Sequence, residues 1–151
     1  SELSAILPPV VTDPVRLEQV FSNLIDNAIK FTPAGGRITV AGEDHGKYVC
    51  LRFSDTGIGI PAEERDRIFD RFYQVDSGST RSYRGTGLGL TICKHIVEQH
   101  QGRIWVEGGA GEGAVFMILL PKELPGEEEL ALNFSTLPSR AARPDGRHIA
   151  D

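Results

Sequence analysis

The chain has 151 residues, of which 40% are hydrophobic and 25% charged, and its formal net charge is −5. These values are typical of one globular domain, and the negative charge argues against a nucleic-acid-binding protein. No apolar run is long enough to cross a bilayer and no signal peptide is visible, so direct membrane contact is not expected. Cys50 and Cys93 lack metal-ligand spacing and fit buried thiols in a reducing compartment, although a disulfide between them stays open.

The sequence does not begin with Met, and we expect it to be a piece of a longer protein. Residues 1–11 are mildly apolar and contain two consecutive prolines, which predicts one or two short edge strands. An amphipathic helix is predicted from Pro14 to Phe31. Asp13 can accept hydrogen bonds from the free N–H groups at its start, and Pro14 suits its first turn.

This helix carries two stripes when its residues are placed at about 100° intervals. The apolar stripe contains Leu17, Val20, Leu24, Ala28 and Phe31, with Phe21 at its edge. The polar stripe beside it contains Arg16, Asn23, Asn27 and Lys30. An amide oxygen can bind a hard cation such as Mg²⁺, and a lysine can meet a phosphate, while a solvated helix face is the alternative interpretation.

Strands are predicted over residues 37–42 and 47–54, with a hairpin turn over residues 43–46. In the second strand the alternation of apolar residues continues to Asp55, which would place this carboxylate on the core side of the sheet. A buried carboxylate needs a partner, and an exocyclic amine of adenine would provide one. Gly57 and Gly59 would let a flat base approach the backbone. An Asp-Gly turn is the alternative, and for this segment taken alone it is the favoured one.

The second half of the chain alternates helices and strands. We predict a short helix over residues 61–70, a mobile loop over residues 74–84, a helix over residues 87–101 ended by Gly102, and strands over residues 103–107 and 114–120. Residues 122–151 carry an acidic run and a later basic stretch, which predicts a flexible tail or linker. Within it, residues 130–134 (Leu-Ala-Leu-Asn-Phe) form the one segment expected to dock.

Two further motifs flank the loop. Residues 85–90 (Gly-Thr-Gly-Leu-Gly-Leu) open a helix, where free N–H groups and small residues can hold an anion. They match neither the dinucleotide-binding fingerprint nor a P-loop. Residues 67–73 predict a helix end that packs Ile68, Phe69 and Phe72 into the core. Four arginines near the loop can reach phosphates or remain solvated: Arg67, Arg71, Arg81 and Arg84.

Together these motifs carry a family resemblance. In order, the chain contains Asn23-x-x-x-Asn27-Ala28-x-Lys30-Phe31, Asp55-x-Gly57-x-Gly59, Arg67-Ile68-Phe69-x-x-Phe72 and Gly85-Thr86-Gly87-Leu88-Gly89-Leu90. They resemble the N, G1, F and G2 boxes of the ATP-binding catalytic domain of sensor histidine kinases. Each box alone is weak, but four boxes in order are specific. The resemblance covers residues 10–121, and we assign residues 1–121 as the catalytic domain, leaving open whether its start is truncated.

The resemblance implies a Bergerat-type two-layer α/β sandwich with a mixed sheet packed against helices. It implies a cytoplasmic domain that binds Mg-ATP and donates the γ-phosphoryl group to a histidine, within a two-component signalling kinase. The implied partners are the phosphoacceptor helices of a parent protein, whose membrane attachment stays open, and a response regulator.

The resemblance also assigns roles to residues. Asn27 would bind Mg²⁺, with Asn23 and Lys30 at metal or phosphate, and Arg67 would face the γ-phosphate. Asp55 would bind the adenine amine, and residues 74–84 would form the ATP lid. Catalytic roles fall to Asn23, Lys30 and Arg67. The full ATP-binding set is Asn23, Asn27, Lys30, Phe31, Asp55, Gly57, Gly59, Ile60, Arg67, Phe72, Gly85, Thr86, Gly87, Leu88 and Gly89.

The substrate histidine is not expected on this chain. His45, His95, His100 and His148 all lack the acidic context of the family's phosphoacceptor helix, so that helix is expected upstream in the parent. Gyrase-like and mismatch-repair ATPases are less similar because they place a carboxylate base where Asn23 stands. Serine kinases of the anti-sigma-factor type and a nucleotide-binding module without transfer activity are the remaining alternatives.

Overall fold

The computed structural model describes residues 10–74, 87–108 and 112–123, together with the backbone of residues 2–3. The strands are β1 (Glu2–Leu3), β2 (Ile38–His45), β3 (Tyr48–Asp55), β4 (Arg103–Glu107) and β5 (Val115–Pro121). The α-helices are α1 (Pro14–Phe31) and α2 (Gly89–Gln99), and two 3₁₀ helices span Ala62–Glu64 and Arg67–Phe69. The predicted mobile loop beyond Gln74, as well as Gly85, Thr86, His148 and the tail from residue 124, lies outside the described residues.

Helix α1 has the predicted bounds. Asp13 Oδ1 accepts hydrogen bonds from the backbone N–H groups of Val15, at 3.1 Å, and Arg16, at 3.3 Å. The predicted apolar stripe is buried except at Phe31, which is 37% exposed. Phe31 is the last helical residue, and the chain turns to an extended conformation at Thr32 directly after it.

The strands form one mixed sheet with the order β1-β2-β3-β5-β4. Only β1 pairs in parallel among the described strands, and it lies at the edge of the sheet, as predicted for a short strand within residues 1–11. Helices α1 and α2 pack on one face, where Leu24 and Ile96 meet Phe53 and Ile118 in the main core cluster. This arrangement confirms the predicted two-layer α/β sandwich.

Several predicted boundaries are wrong, for local reasons. Strand β2 continues to His45, so the hairpin turn is only the two residues Gly46 and Lys47. Gly46 has a φ of +71°, which such short turns favour. At the end of α2 the left-handed residue is Gln101, with a φ of +60°, instead of Gly102. Gly102 is required by packing, because a Cβ there would lie 2.5 Å from the carbonyl oxygen of Leu119.

The helix predicted over residues 61–70 is two 3₁₀ turns. The hydrogen bonds from Glu64 N to Pro61 O and from Asp70 N to Arg67 O both span three residues. Of the residues in the two turns, only Ile68 and Phe69 are buried, so the segment lacks the apolar stripe that would support a longer α-helix. Glu63 and Glu64 occupy the first turn as predicted.

Both cysteines are free and buried, so the disulfide left open above is absent. Within the described ranges, no helix combines the length and hydropathy needed to cross a bilayer.

Candidate functional site

The described parts of all four motifs meet beside α1. Asn23 Nδ2 donates to the carbonyl oxygen of Gly89 at 3.4 Å, which joins the polar stripe of α1 to the start of α2. Ile58 N donates to Phe31 O at 3.3 Å, which joins the segment after Asp55 to the end of α1. Residues more than 60 positions apart in the chain therefore form one structural unit.

The arginine- and phenylalanine-containing motif joins the same unit through the backbone. Phe72 N donates to Gly87 O at 3.0 Å, and Thr91 Oγ1 donates to Phe69 O at 2.9 Å. Thr91 was not among the sequence candidates, since a lone threonine on a helix carries no signal of such a contact.

Asp55 is half-buried at the end of β3, on the side predicted from the alternation. Its Oδ1 accepts hydrogen bonds from Gly57 N at 2.8 Å and from Ala114 N at 3.3 Å. The first bond is that of the Asp-Gly turn, which the sequence favoured for this segment taken alone, so Oδ1 has backbone partners and does not need a ligand. Among the described residues, no group donates to Oδ2, which leaves that oxygen as an acceptor for a ligand.

Position 57 must be glycine because neighbouring parts of the chain leave no room for a side chain. A Cβ at this position would lie 2.2 Å from Phe31 O and 2.9 Å from Asp55 Oδ1. The close backbone approach expected for a flat base is therefore made by the end of α1. Gly59 has a φ of +72°, and Ile60 packs against the main core cluster. Gly113 plays a similar part that sequence analysis missed, because a Cβ there would lie 2.0 Å from Asp55 O.

The start of α2 has the features of an anion site. Leu88 occupies the N-cap position, and its apolar side chain makes no capping hydrogen bond to the first turn. At Gly89, the nearest atom to an added Cβ would be Asn23 Cγ at 3.9 Å, so the space over this residue is open. The helix dipole and these N–H groups favour a phosphate here.

The polar stripe of α1 borders this helix start. Asn27 is half-buried and has no hydrogen-bond partner among the described residues, while Lys30 is exposed and has no carboxylate within 4.0 Å among them. The described residues contain no cluster of three His, Cys, Asp or Glu side chains that could hold a metal ion. An amide with a free oxygen still fits Mg²⁺, which often takes one or two protein ligands and completes its shell with phosphates and water.

Asn23 also contacts the thiol of Cys93, a residue that sequence analysis treated only as a buried thiol. Cys93 is fully buried, and its S–H group lies 3.8 Å from Val20 O. Burial raises the pKa of this thiol to about 11, and the hydrogen bond with Asn23 partly opposes that rise. Asn23 is thus held at the junction between α1 and α2.

Arg67 does not join the polar stripe. Its guanidinium lies 4.6 Å from the centroid of the Tyr73 ring, and Tyr73 donates its hydroxyl to Glu64 Oε1 at 2.8 Å. The hydrogen bond to Glu64 raises the pKa of Tyr73. Ile68 and Phe69 are buried as predicted.

The predicted burial of Phe72 is wrong, since its side chain is 72% exposed. Its φ of +61° turns the backbone toward Gly87 and leaves the ring on the surface. The contact is close, because a Cβ at Gly87 would lie 2.7 Å from Phe72 Cα.

Gly87→Ala is therefore expected to destabilise the domain, whereas Gly89→Ala should not. Gly87 combines a φ of +70° with that close contact, while an added Cβ at Gly89 has no atom nearer than 3.9 Å. A positive φ alone costs an L-residue about 1–2 kcal/mol. Urea unfolding of both variants measures the difference, and equal midpoints would contradict this account of Gly87.

The described histidines hold structural or surface positions. His100 Nε2 accepts from Asp13 N at 3.0 Å, and its Nδ1 lies 2.8 Å from Ile96 O, so the ring ties α2 to the start of α1. His45 lies 3.3 Å from Glu43 in strand β2, and His95 is exposed on α2.

A family model described as histidine kinase-, DNA gyrase B-, and HSP90-like ATPase matches residues 12–124. The match covers most of the chain, and the chain belongs to this family of ATPases.

Individual relatives show which kind of ATPase domain within this family the chain resembles. The sensor protein SrrB of Staphylococcus aureus is 47% identical over 107 residues, which are 71% of this chain and 18% of SrrB. The chain therefore spans less than a fifth of that relative. The catalytic domain of histidine kinase ThkA is 37% identical, with a TM-score of 0.65 over 76% of this chain and 71% of that one. Within the family, the chain is an ATP-binding catalytic domain of the histidine-kinase type.

Two solved complexes are also similar. Full-length ShkA in complex with AMPPNP is 32% identical, with a TM-score of 0.71 over 93% of this chain and 27% of that one. ThkA in complex with the response regulator protein TrrA is 34% identical, with a TM-score of 0.66 over 80% of this chain and 33% of that one.

Proposed function

We propose that this domain binds Mg-ATP and donates the γ-phosphoryl group to a histidine on another part of its parent protein. The observation that carries the proposal is the meeting of the Asp55 turn, the amide stripe of α1 and the start of α2, whose N-cap residue provides no capping side chain. These three features supply an acceptor for an amine, ligands for a metal and N–H donors for an anion. The AMPPNP complex of the similar kinase ShkA supports a nucleotide as the ligand.

The proposed roles follow from these contacts. Asp55 Oδ2 accepts from the adenine amine, while Oδ1 remains bound to the backbone. Gly59 and Ile60 lie beside the base, and the end of α1 at Phe31 borders the same region. The start of α2 at Gly87, Leu88 and Gly89 provides N–H groups to the phosphates, with Gly85 and Thr86 preceding it. We further propose that residues 74–84 form the lid and that Phe72 contacts the nucleotide.

In this proposal Asn27 binds Mg²⁺, and Asn23 and Lys30 lie at the metal or the phosphates. When bound, the metal neutralises phosphate charge and holds the phosphates in one geometry. Lys30 adds a positive charge from α1, and Arg67 would add a second after leaving its position over the Tyr73 ring. Phosphoryl transfer depends mainly on such positioning and charge neutralisation, so no strong base is needed on this domain.

Hydrolysis of the gyrase type is not favoured. Asn23 occupies the position of the carboxylate base, its amide cannot accept a proton from water, and its Nδ2 group already donates to Gly89 O. For the downstream partner we propose a response regulator, in view of the complex between ThkA and the response regulator protein TrrA.

The test uses γ-labelled ATP. The domain alone should remain unlabelled, because none of its described histidines lies in a phosphoacceptor motif and in-line transfer needs an aligned nucleophile about 3–3.5 Å away. Adding the phosphoacceptor helices of the parent protein in trans should produce an acid-labile phosphohistidine on those helices.

Strong labelling of the isolated domain would contradict the proposal, as would no transfer to the helices under conditions where ATP binds. An acid-stable label would indicate the serine-kinase alternative instead.

A further inference from the structure

The sheet has a second apolar cluster on the face opposite the helices. The strand residues Cys50, Trp105, Met117 and Leu119 are each no more than 3% exposed, and Tyr48 and Val115 pack against them. We call these six residues the outer-face cluster. Its members come only from β3, β4 and β5, unlike the main core cluster, which combines strands with α1 and α2.

Such burial requires a cover. A sheet face open to water leaves its side chains accessible, yet Met117 and Trp105, which pair across β5 and β4, are 1% and 3% exposed. Glu107 on the same face is 5% exposed and accepts from Trp105 Nε1 at 3.0 Å. No described helix contributes to the cluster, so the layer formed by α1 and α2 does not explain this burial.

We propose that the chain's own tail, through residues 130–134 (Leu-Ala-Leu-Asn-Phe), docks on the outer-face cluster as a third layer. The tail leaves directly from β5, which lies between β3 and β4 and carries Met117 and Leu119. Its first residue is anchored, because Lys122 N donates to Lys47 O at 2.9 Å and Lys122 Nζ lies 2.7 Å from Asp44 Oδ1.

The reach of the tail is sufficient. Leu130 follows Glu123 by seven residues, which extend to about 23–25 Å. Met117 precedes Pro121 by four strand positions, or about 14 Å. The segment over residues 130–134 brings three large apolar side chains, and it is the segment that sequence analysis singled out for docking.

Charge also favours this occupant. The acidic run over residues 127–129 directly precedes the segment. Arg52 lies on the outer face, pairing with Met117, and its Nε is buried with no hydrogen-bond acceptor among the described residues.

Residues 4–9 are a poorer candidate. They leave β1 at the opposite edge of the sheet, four strands from β4, which is about 19 Å. They must also return to Val10, which packs against the main core cluster on the helix side. A path from β1 to Trp105 and back to Val10 crosses the sheet twice. The path of the tail is shorter, because β5 is the strand next to β4, which carries Trp105.

The two cysteines provide a probe with an internal control. Cys50 belongs to the outer-face cluster, whereas Cys93 lies in the main core beneath the helices. Burial, with a further contribution from the charge of Glu43, raises the pKa of Cys50 to about 11. Loss of the cover should hydrate Cys50, lower the pKa of its thiol and increase its reactivity, while Cys93 stays protected.

The experiment compares the full chain with Leu130→Asp/Leu132→Asp, using Leu137→Asp as the matched control outside the segment. Labelling with a thiol-reactive disulfide at pH 8, resolved by mass spectrometry, should show Cys50 reacting at least tenfold faster in the double variant only. The emission of Trp105, the single tryptophan, should shift to longer wavelength in the same variant. Unchanged protection of Cys50 would overturn the proposal.

Two further measurements distinguish the tail from other occupants of this face, and neither depends on the stability of the Asp variants. Dilution of the unmodified chain should leave Cys50 protected, whereas protection that falls with concentration would indicate a second copy and overturn the proposal. A photo-crosslinking amino acid in place of Leu132 should link to strands β3, β4 or β5. Crosslinks only to other parts of the chain would also overturn it, whatever the stability of the Asp variants.

Discussion

Asp55→Asn is expected to weaken ATP binding at least tenfold, about 1.4 kcal/mol, while leaving the fold intact. The asparagine keeps an oxygen for the N–H groups of Gly57 and Ala114, which Asp55 Oδ1 now holds. It replaces the other oxygen by an NH₂ group, which cannot accept from the adenine amine. Calorimetric titration with ATP and thermal unfolding together measure the two effects.

Comparing Asp55→Asn with Asp55→Ala separates the expected role of Asp55 in ATP binding from its role in the fold. Asp55→Ala removes the acceptor of both backbone N–H groups, so it should also lower the free energy of unfolding, by about 1–3 kcal/mol. Equal ATP affinity in Asp55→Asn and the unmodified chain would refute adenine recognition by this residue. Equal stability of the two variants would refute the structural role of Oδ1.

The second large effect is expected for Asn27→Ala, which should reduce ATP affinity at least tenfold when Mg²⁺ is present. The reason is the proposed role of Asn27 as an amide ligand to the metal, and Asn27 makes no described hydrogen bond that would otherwise explain its half-buried position. Titrations with Mg²⁺ and with a chelator should differ strongly for the unmodified chain and only weakly for the variant.

Ser22→Ala serves as the control for Asn27→Ala, because Ser22 is an exposed residue of the same helix outside the polar stripe. It should bind ATP like the unmodified chain with and without Mg²⁺. Retention of the full Mg²⁺ dependence in Asn27→Ala would remove this residue from the metal site.

Local features of the sequence were sufficient to predict the main helices and strands. Helix α1 was predicted with its observed bounds because its cap, its first-turn proline and its apolar spacing all lie within one segment. The alternation through β3 likewise predicted on which side Asp55 lies. Four motifs in the expected order were sufficient to identify the family, and the match of the family model over residues 12–124 confirms it.

Contacts between distant segments were not predictable in this way. Phe72 was predicted to be buried because it follows Ile68 and Phe69, but its backbone is turned outward by a hydrogen bond to Gly87. Gly57 was explained by the approach of a base, yet the nearest obstacle is the carbonyl group of Phe31. Both partners lie far along the chain, so no local pattern contains them.

The sequence by itself determined the two α-helices and the main strands, apart from some of their ends, as well as the family and the candidate residues, because periodicity, capping and motif order are properties of short segments. Only the tertiary structure decided how these residues are used. It gave Asp55 Oδ1 a donor in Ala114, 59 residues away, and left Oδ2 with no donor among the described residues, and it joined Asn23 to Gly89. It also buried Trp105 and Met117 on a second face of the sheet. Those outcomes depend on which backbone groups and surfaces meet after folding, since hydrogen bonds and burial are satisfied by neighbours in space and not by neighbours in sequence.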